Sequence, residues 1–153
     1  MSDSGHISMV QALYSAFQAG HLAAILDLVS DDFSLELPPM PDVPWRSSYP
    51  GKEGLREFLV QRGPLVTYTY FSPDQFFADR GHVLVVGETA GIARVTERAF
   101  RYKWVHIFQF SPNGLISRME EVLDTHVLVT AFSERPGPAP IPAGRGTTPA
   151  PGA

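Results

Sequence analysis

Apolar residues recur at helical spacing over residues 8–19, where Val10, Leu13, Tyr14 and Phe17 share one side and Gly20 ends the run. The same spacing returns over 22–29, with Leu22, Ile25, Leu26 and Val29. It returns again over 51–61, with Leu55, Phe58 and Leu59 ahead of Gly63-Pro64. These stretches predict three helices. Alternation replaces helical spacing elsewhere. Residues 33–37 predict a short strand, and 66–77 an aromatic-rich strand bent at Ser72-Pro73-Asp74. After an Asp79-Arg80-Gly81 turn, residues 82–94 predict a long strand crossed by Gly87 and Gly91. Residues 38–50 hold five prolines, which fix φ and remove backbone donors, so an irregular loop is expected there. That loop carries Trp45 and Tyr49, suited to close over a ligand. A short helical segment fits residues 125–132.

The most telling pattern spans 100–124, two alternating runs around Ser111-Pro112-Asn113-Gly114, which predicts a β-hairpin. Phe100, Tyr102, Trp104, His106, Phe108 and Phe110 fall on one face of its first strand. With Ser111 paired to Gly114, Trp104 is expected opposite Glu121 and His106 opposite Met119. An aromatic face bearing one imidazole and one carboxylate is the expected wall of an apolar cavity. A slip of one residue would turn Glu120 inward in place of Glu121. The opposite face (Val105, Ile107, Ile116 and Val122 among Arg101, Lys103 and Gln109) is too apolar to lie fully in water. A homodimer through this outer sheet face is the economical expectation.

Helices first and then a run of antiparallel strands is the α+β order. The expected architecture packs three helices of the N-terminal half on the concave face of a curved antiparallel sheet, giving an open cone. At 153 residues with 44% hydrophobic and 18% charged residues, the chain has one domain's worth of core. Residues 1–7 read as an extension and 8–132 as the domain. Residues 133–153 hold six of the fourteen prolines and no apolar periodicity, so they are expected to be disordered. A net charge of −4 argues against nucleic acid and anionic membranes as partners. The absence of cysteine excludes disulfides and thiolate chemistry. No basic-then-apolar leader and no bilayer-length apolar run are present, so a cytoplasmic protein is expected. His21, His82 and His126 share no ligand spacing, and neither a metal nor another cofactor is expected.

The run Tyr14-Ser-Ala-Phe…Gly20-His-Leu, then Leu28-Val-Ser-Asp-Asp-Phe33, then Tyr49-Pro-Gly-Lys-Glu-Gly54, resembles the SnoaL-like branch of the nuclear transport factor 2-like superfamily. So do Trp104-Val-His-Ile-Phe108, Asn113-Gly-Leu-Ile116 and Glu121-Val-Leu-Asp-Thr125. The resemblance covers roughly 8–132, and the superfamily includes ketosteroid isomerases and limonene epoxide hydrolases. It implies a cone-shaped fold and dimers, but no single activity. At the position of the isomerases' oxyanion-stabilising acid stands His106, and at that of their general base stands Leu37, which accepts no proton. No Asp-Arg-Asp relay of the epoxide hydrolase type lies on the aromatic face. Glu121 matches the last-strand carboxylate of SnoaL-type cyclases, and Tyr14 could lend its hydroxyl as the isomerases' tyrosine does.

The residues thus expected to carry chemistry are Glu121 as base, its pKa raised by burial, and His106 as proton donor or oxyanion partner. Tyr14, Trp45, Tyr49, Tyr102, Trp104, Phe108 and Met119 are expected to contact a hydrophobic small molecule. The expected reaction is proton transfer, as in an isomerase, cyclase or dehydratase. The alternative is a non-catalytic pocket for an apolar metabolite, or a dimerisation module.

Overall fold

A computed structural model describes residues 2–134 of the chain. The first helix, α1 (Asp3–Gln18), starts within the stretch expected to be an extension. Its first turns are polar and carry no periodic signal. Ser2 nonetheless caps the Gly5 amide at 3.1 Å, and His6 stacks on Phe110 with ring centroids 4.1 Å apart. Gly20, at φ +71°, ends the helix as its sequence implied.

Helix α2 (Leu22–Asp27) is shorter than its pattern, because the chain turns into strand β1 (Val29–Glu36) four residues ahead of the alternating run. Strand β2 (Ser48–Pro50) was hidden in the proline loop and pairs antiparallel with β1, Leu35 facing Tyr49. Helix α3 (Gly51–Arg62) follows at once, its Gly51 held at φ +73°. Strands β3 (Val66–Asp79), β4 (His82–Ala93), β5 (Arg98–Phe110) and β6 (Ile116–Leu123) then run as an antiparallel meander, and helix α4 (Thr125–Phe132) closes the fold. The described residues thus hold the three expected helices and α4 where a short helical segment was expected, the last packing against β4 and β5.

The strand order is β2-β1-β6-β5-β4-β3 in one curved, unclosed sheet. One pairing departs from the antiparallel expectation: β1 runs parallel to β6. Register breaks at Tyr68/Tyr70 and Pro73/Gln75 bend β3, the second at the predicted Ser72-Pro73-Asp74 kink. Helices α1, α2 and α3 share one face of the sheet, since Leu13, Ile25 and Phe58 border the same cavity as Leu35, Tyr102 and Met119 of the strands.

The β5–β6 hairpin corrects the expected register. Ser111 N–H bonds to the Leu115 carbonyl (2.8 Å), one residue beyond the expected partner Gly114, whose own amide donates to the Ser111 carbonyl (2.9 Å) within the turn and which sits at φ +84°. A bulge between Gln109 and Phe110 in the ladder adds a second residue on β6. Two single-residue shifts sum to two, so His106 lies opposite Glu121, Trp104 opposite Leu123 and Phe108 opposite Met119. Because the side-chain period is two, the faces survive and Glu121 still points inward. The bulge also reverses Ile116, which is fully buried rather than on the outer face.

Candidate functional site

Strand β5 delivers the buried row Phe100, Tyr102, Trp104, His106 and Phe108 to the concave face. His106 is flanked there by Val85 of β4 and Glu121 of β6. Its ring is clamped by Trp104, which stacks on it at 3.8 Å with an interplanar angle of 12°. Trp104 is itself fixed, its indole N–H donating to Thr89 Oγ1 at 2.6 Å. The cross-strand neighbour Gly87 leaves the room that this indole occupies, for a Cβ there would run into Trp104 Cζ2.

Helix α1 brings Tyr14 down onto the same ring, and a chain of two hydrogen bonds results. Tyr14 Oη lies 2.8 Å from His106 Nδ1, and His106 Nε2 lies 2.7 Å from Glu121 Oε2. The His106 and Glu121 side chains are only 5% and 10% exposed. Burial alone would push the Glu121 carboxyl up. The hydrogen bond from His106, with the charges of His106 and Arg62, outweighs burial and holds it below the usual carboxylate range. This reverses the raised pKa expected for it. Burial, seconded by the Glu121 charge, pushes the Tyr14 phenol upward, so it keeps its proton.

An ionised carboxylate only accepts, so Nε2 carries the hydrogen shared with Glu121. Tyr14 Oη and His106 Nδ1 share the second hydrogen bond, the phenol donating wherever Nδ1 carries no hydrogen. The hydrogen bonds thus link Tyr14, His106 and the Glu121 carboxylate in that order. Both ring nitrogens are engaged, so the ring presents no free nitrogen to a ligand.

The cavity beside this chain leaves ≈ 100 Å³ over which the centre of a water molecule can range. A single water needs roughly 10–15 Å³ on that measure, so a small ring system fits. Tyr14, Tyr102, His106, Met119 and Glu121 border it. Trp104 and Phe108 stand behind the wall, Phe108 fully buried and edge-on to Tyr14 at 6.0 Å.

Trp45 and Tyr49 do not reach the cavity. Trp45 packs edge-on against Phe132 at 5.0 Å. Tyr49 is wholly buried, taking a hydrogen bond from the Arg46 amide and giving one to Gln61 Oε1. Both tie the proline loop to α3 and α4. Leu37, one residue past β1, is buried in the cavity wall.

The sequence model of the SnoaL-like domain matches residues 10–119. The chain belongs to the SnoaL-like family. Its fold is shared with an NTF2-like protein from Burkholderia xenovorans LB400 at 25% identity and a TM-score of 0.77, covering 87% of this chain and 99% of that one. TerC, crystallised with polyporic acid, matches at 21% identity and a TM-score of 0.74, over 84% and 98% of the two chains. A candidate polyketide cyclase from Xanthomonas campestris pv. campestris matches at 16% and 0.68, over 86% and 98%. No curated protein matches the sequence.

Three polar cavity residues of this SnoaL-like domain escaped the sequence reading: Arg62, Tyr68 and Thr89. Arg62 ends α3, where a cation reads as a complement to the helix dipole. The signal against that reading was its spacing, four residues after Phe58 and seven after Leu55, on the apolar stripe. Its guanidinium lies 4.7 Å from the Trp45 ring centre and 5.3 Å from that of Phe58. Burial opposes its charge, but Tyr68, Tyr102 and Glu121 more than compensate and keep it protonated.

Proposed function

We propose that this SnoaL-like domain is a cofactor-independent acid/base enzyme for a hydrophobic molecule with a carbonyl or other enolisable centre. The observation supporting this reading is the Tyr14–His106–Glu121 chain at the wall of an apolar cavity. Glu121 is the base. Its Oε2 is held by His106, while nothing among the described residues bonds Oε1, which remains for the substrate. The carboxylate removes a proton from the carbon beside the carbonyl and returns it to another carbon of the same molecule. Protons balance with no outside reactant. His106 is a positioning residue that aims the carboxylate and keeps it ionised until the substrate arrives. The apolar wall excludes water, which strengthens each of these interactions. The descriptions of two structural neighbours, a candidate isomerase from Bacillus subtilis and the candidate cyclase, point to the same class of chemistry.

Leu37 favours a second reading, a pocket that binds an apolar metabolite without turning it over, since it occupies the place of the isomerase base. We likewise propose that two copies associate through the outer sheet face.

Deuterium incorporation into enolisable ketones separates enzyme from binder. Glu121→Gln is expected to slow exchange by ~10²–10⁴-fold, the usual worth of a positioned acid or base, with ligand affinity little changed. His106→Ala is expected to follow it. Equal exchange by wild type and Glu121→Gln would leave only the binding role.

A further inference from the structure

Arg62 is 8% exposed, yet no carboxylate among the described residues lies within ion-pairing distance of it. A guanidinium has five N–H donors in a planar fork. Here one terminal nitrogen makes a long contact, 3.4 Å, to Tyr102 Oη, and Nε is buried with no partner. The faces of Trp45, Phe58 and Tyr68, at 4.7–5.6 Å, offset part of the charge and the Tyr68 hydroxyl is a further neutral partner, but none of them is an anion. Buried cations are ordinarily paired and hydrogen-bonded, because an unpaired one loses its hydration without replacement. Glu121 feels Arg62 only at a distance, its Oε2 being committed to His106.

We propose that the cavity is built for an acidic ligand, whose carboxylate or ionised enol docks on Arg62 while its apolar body lies along the aromatic wall. The phenols of Tyr102 and Tyr68 keep their protons and can donate to the same oxygens. The ionised Glu121 repels a second anion, which fixes the end of the ligand that faces Arg62. The inference rests on the cavity being a ligand site, but not on Glu121 acting as a base.

The test is calorimetric titration with 2-naphthoate and its uncharged counterpart 2-naphthamide, against wild type, Arg62→Met, Arg62→Lys and Glu121→Gln. Wild type is expected to bind the acid about tenfold or more tightly than the amide, the scale of a charge-assisted pair. Arg62→Met should erase that preference while leaving amide affinity within about threefold. Arg62→Lys keeps the charge but loses the fork, so it should retain only part of it. Glu121→Gln should keep the preference even where it abolishes exchange, so this inference and the catalytic reading fail separately. An amide bound as tightly as the acid, a preference that survives Arg62→Met, or no binding of either compound would overturn it.

Discussion

Glu121 shows how the neighbours of a residue decide its chemistry. Placed among aromatics alone, its carboxyl would titrate high; placed against His106 and within reach of the Arg62 field, it titrates low. The consequence is a stability term with a defined sign. A carboxyl whose folded pKa lies below its unfolded value of about 4.3 stabilises the fold above that value. The contribution is lost as pH falls toward the folded pKa. Urea melts of wild type and Glu121→Gln should therefore differ by a constant amount above about pH 5 and converge in more acidic solution. A gap that widens on acidification would mean that the carboxyl is not held ionised. Tyr14, Tyr68 and Tyr102 give the opposite limb, since their raised pKa values make stability fall above about pH 10.

Among the elements, the β5–β6 hairpin was legible in kind but not in register. Alternation along residues 100–110 placed His106 and Trp104 on one face without any structure. Counting back from Ser111-Gly114 missed the αL residue at Gly114 and the bulge on β6, neither of which has a hydrophobic signature. The face assignment survived because the two errors were each one residue. Strand β2 was illegible because three residues in a proline-rich loop show no period; only pairing with β1 and the burial of Tyr49 define it. Arg62 was overlooked since helix ends attract cations for reasons unrelated to a site.

Gly87, by contrast, was visible as an interruption, and the structure supplies its reason. An added methyl would strike Trp104 and come within 2.6 Å of the Ser72 carbonyl on β3. Gly87→Ala is expected to cost about 1–3 kcal/mol, the range for overpacking, and to displace the indole on which His106 stacks. A thermal melt with tryptophan fluorescence checks both effects. An unchanged melting temperature with unchanged emission would show that Trp104 does not need that space.

For the whole molecule, the α+β cone could be read from element order, since helices preceding a meander leave few arrangements that bury both apolar faces. The outer face is a matter of composition. Val86, Val105 and Val122 form a row across β4, β5 and β6, with Val122 50% exposed, and Leu84 beside them is 39% exposed. A second copy would cover them, so sedimentation should find a dimer that Val122→Glu converts to monomer. A monomeric wild type would leave this face to water. Among the described residues no helix is long and apolar enough to cross a membrane. The proline-rich tail from residue 135 onward lies outside the described residues.

The acid/base chemistry argued for this cavity depends on how one imidazole is wired between a phenol and a carboxylate. Nitrogen NMR of the His106 ring, in wild type and in Glu121→Gln, reads that wiring directly. The ring should carry a hydrogen on Nε2, and the Nε2 signal should shift when the carboxylate becomes an amide. A ring with its hydrogen on Nδ1 and a bare Nε2 would contradict the account, since Glu121 could then be neither aimed nor held ionised by His106.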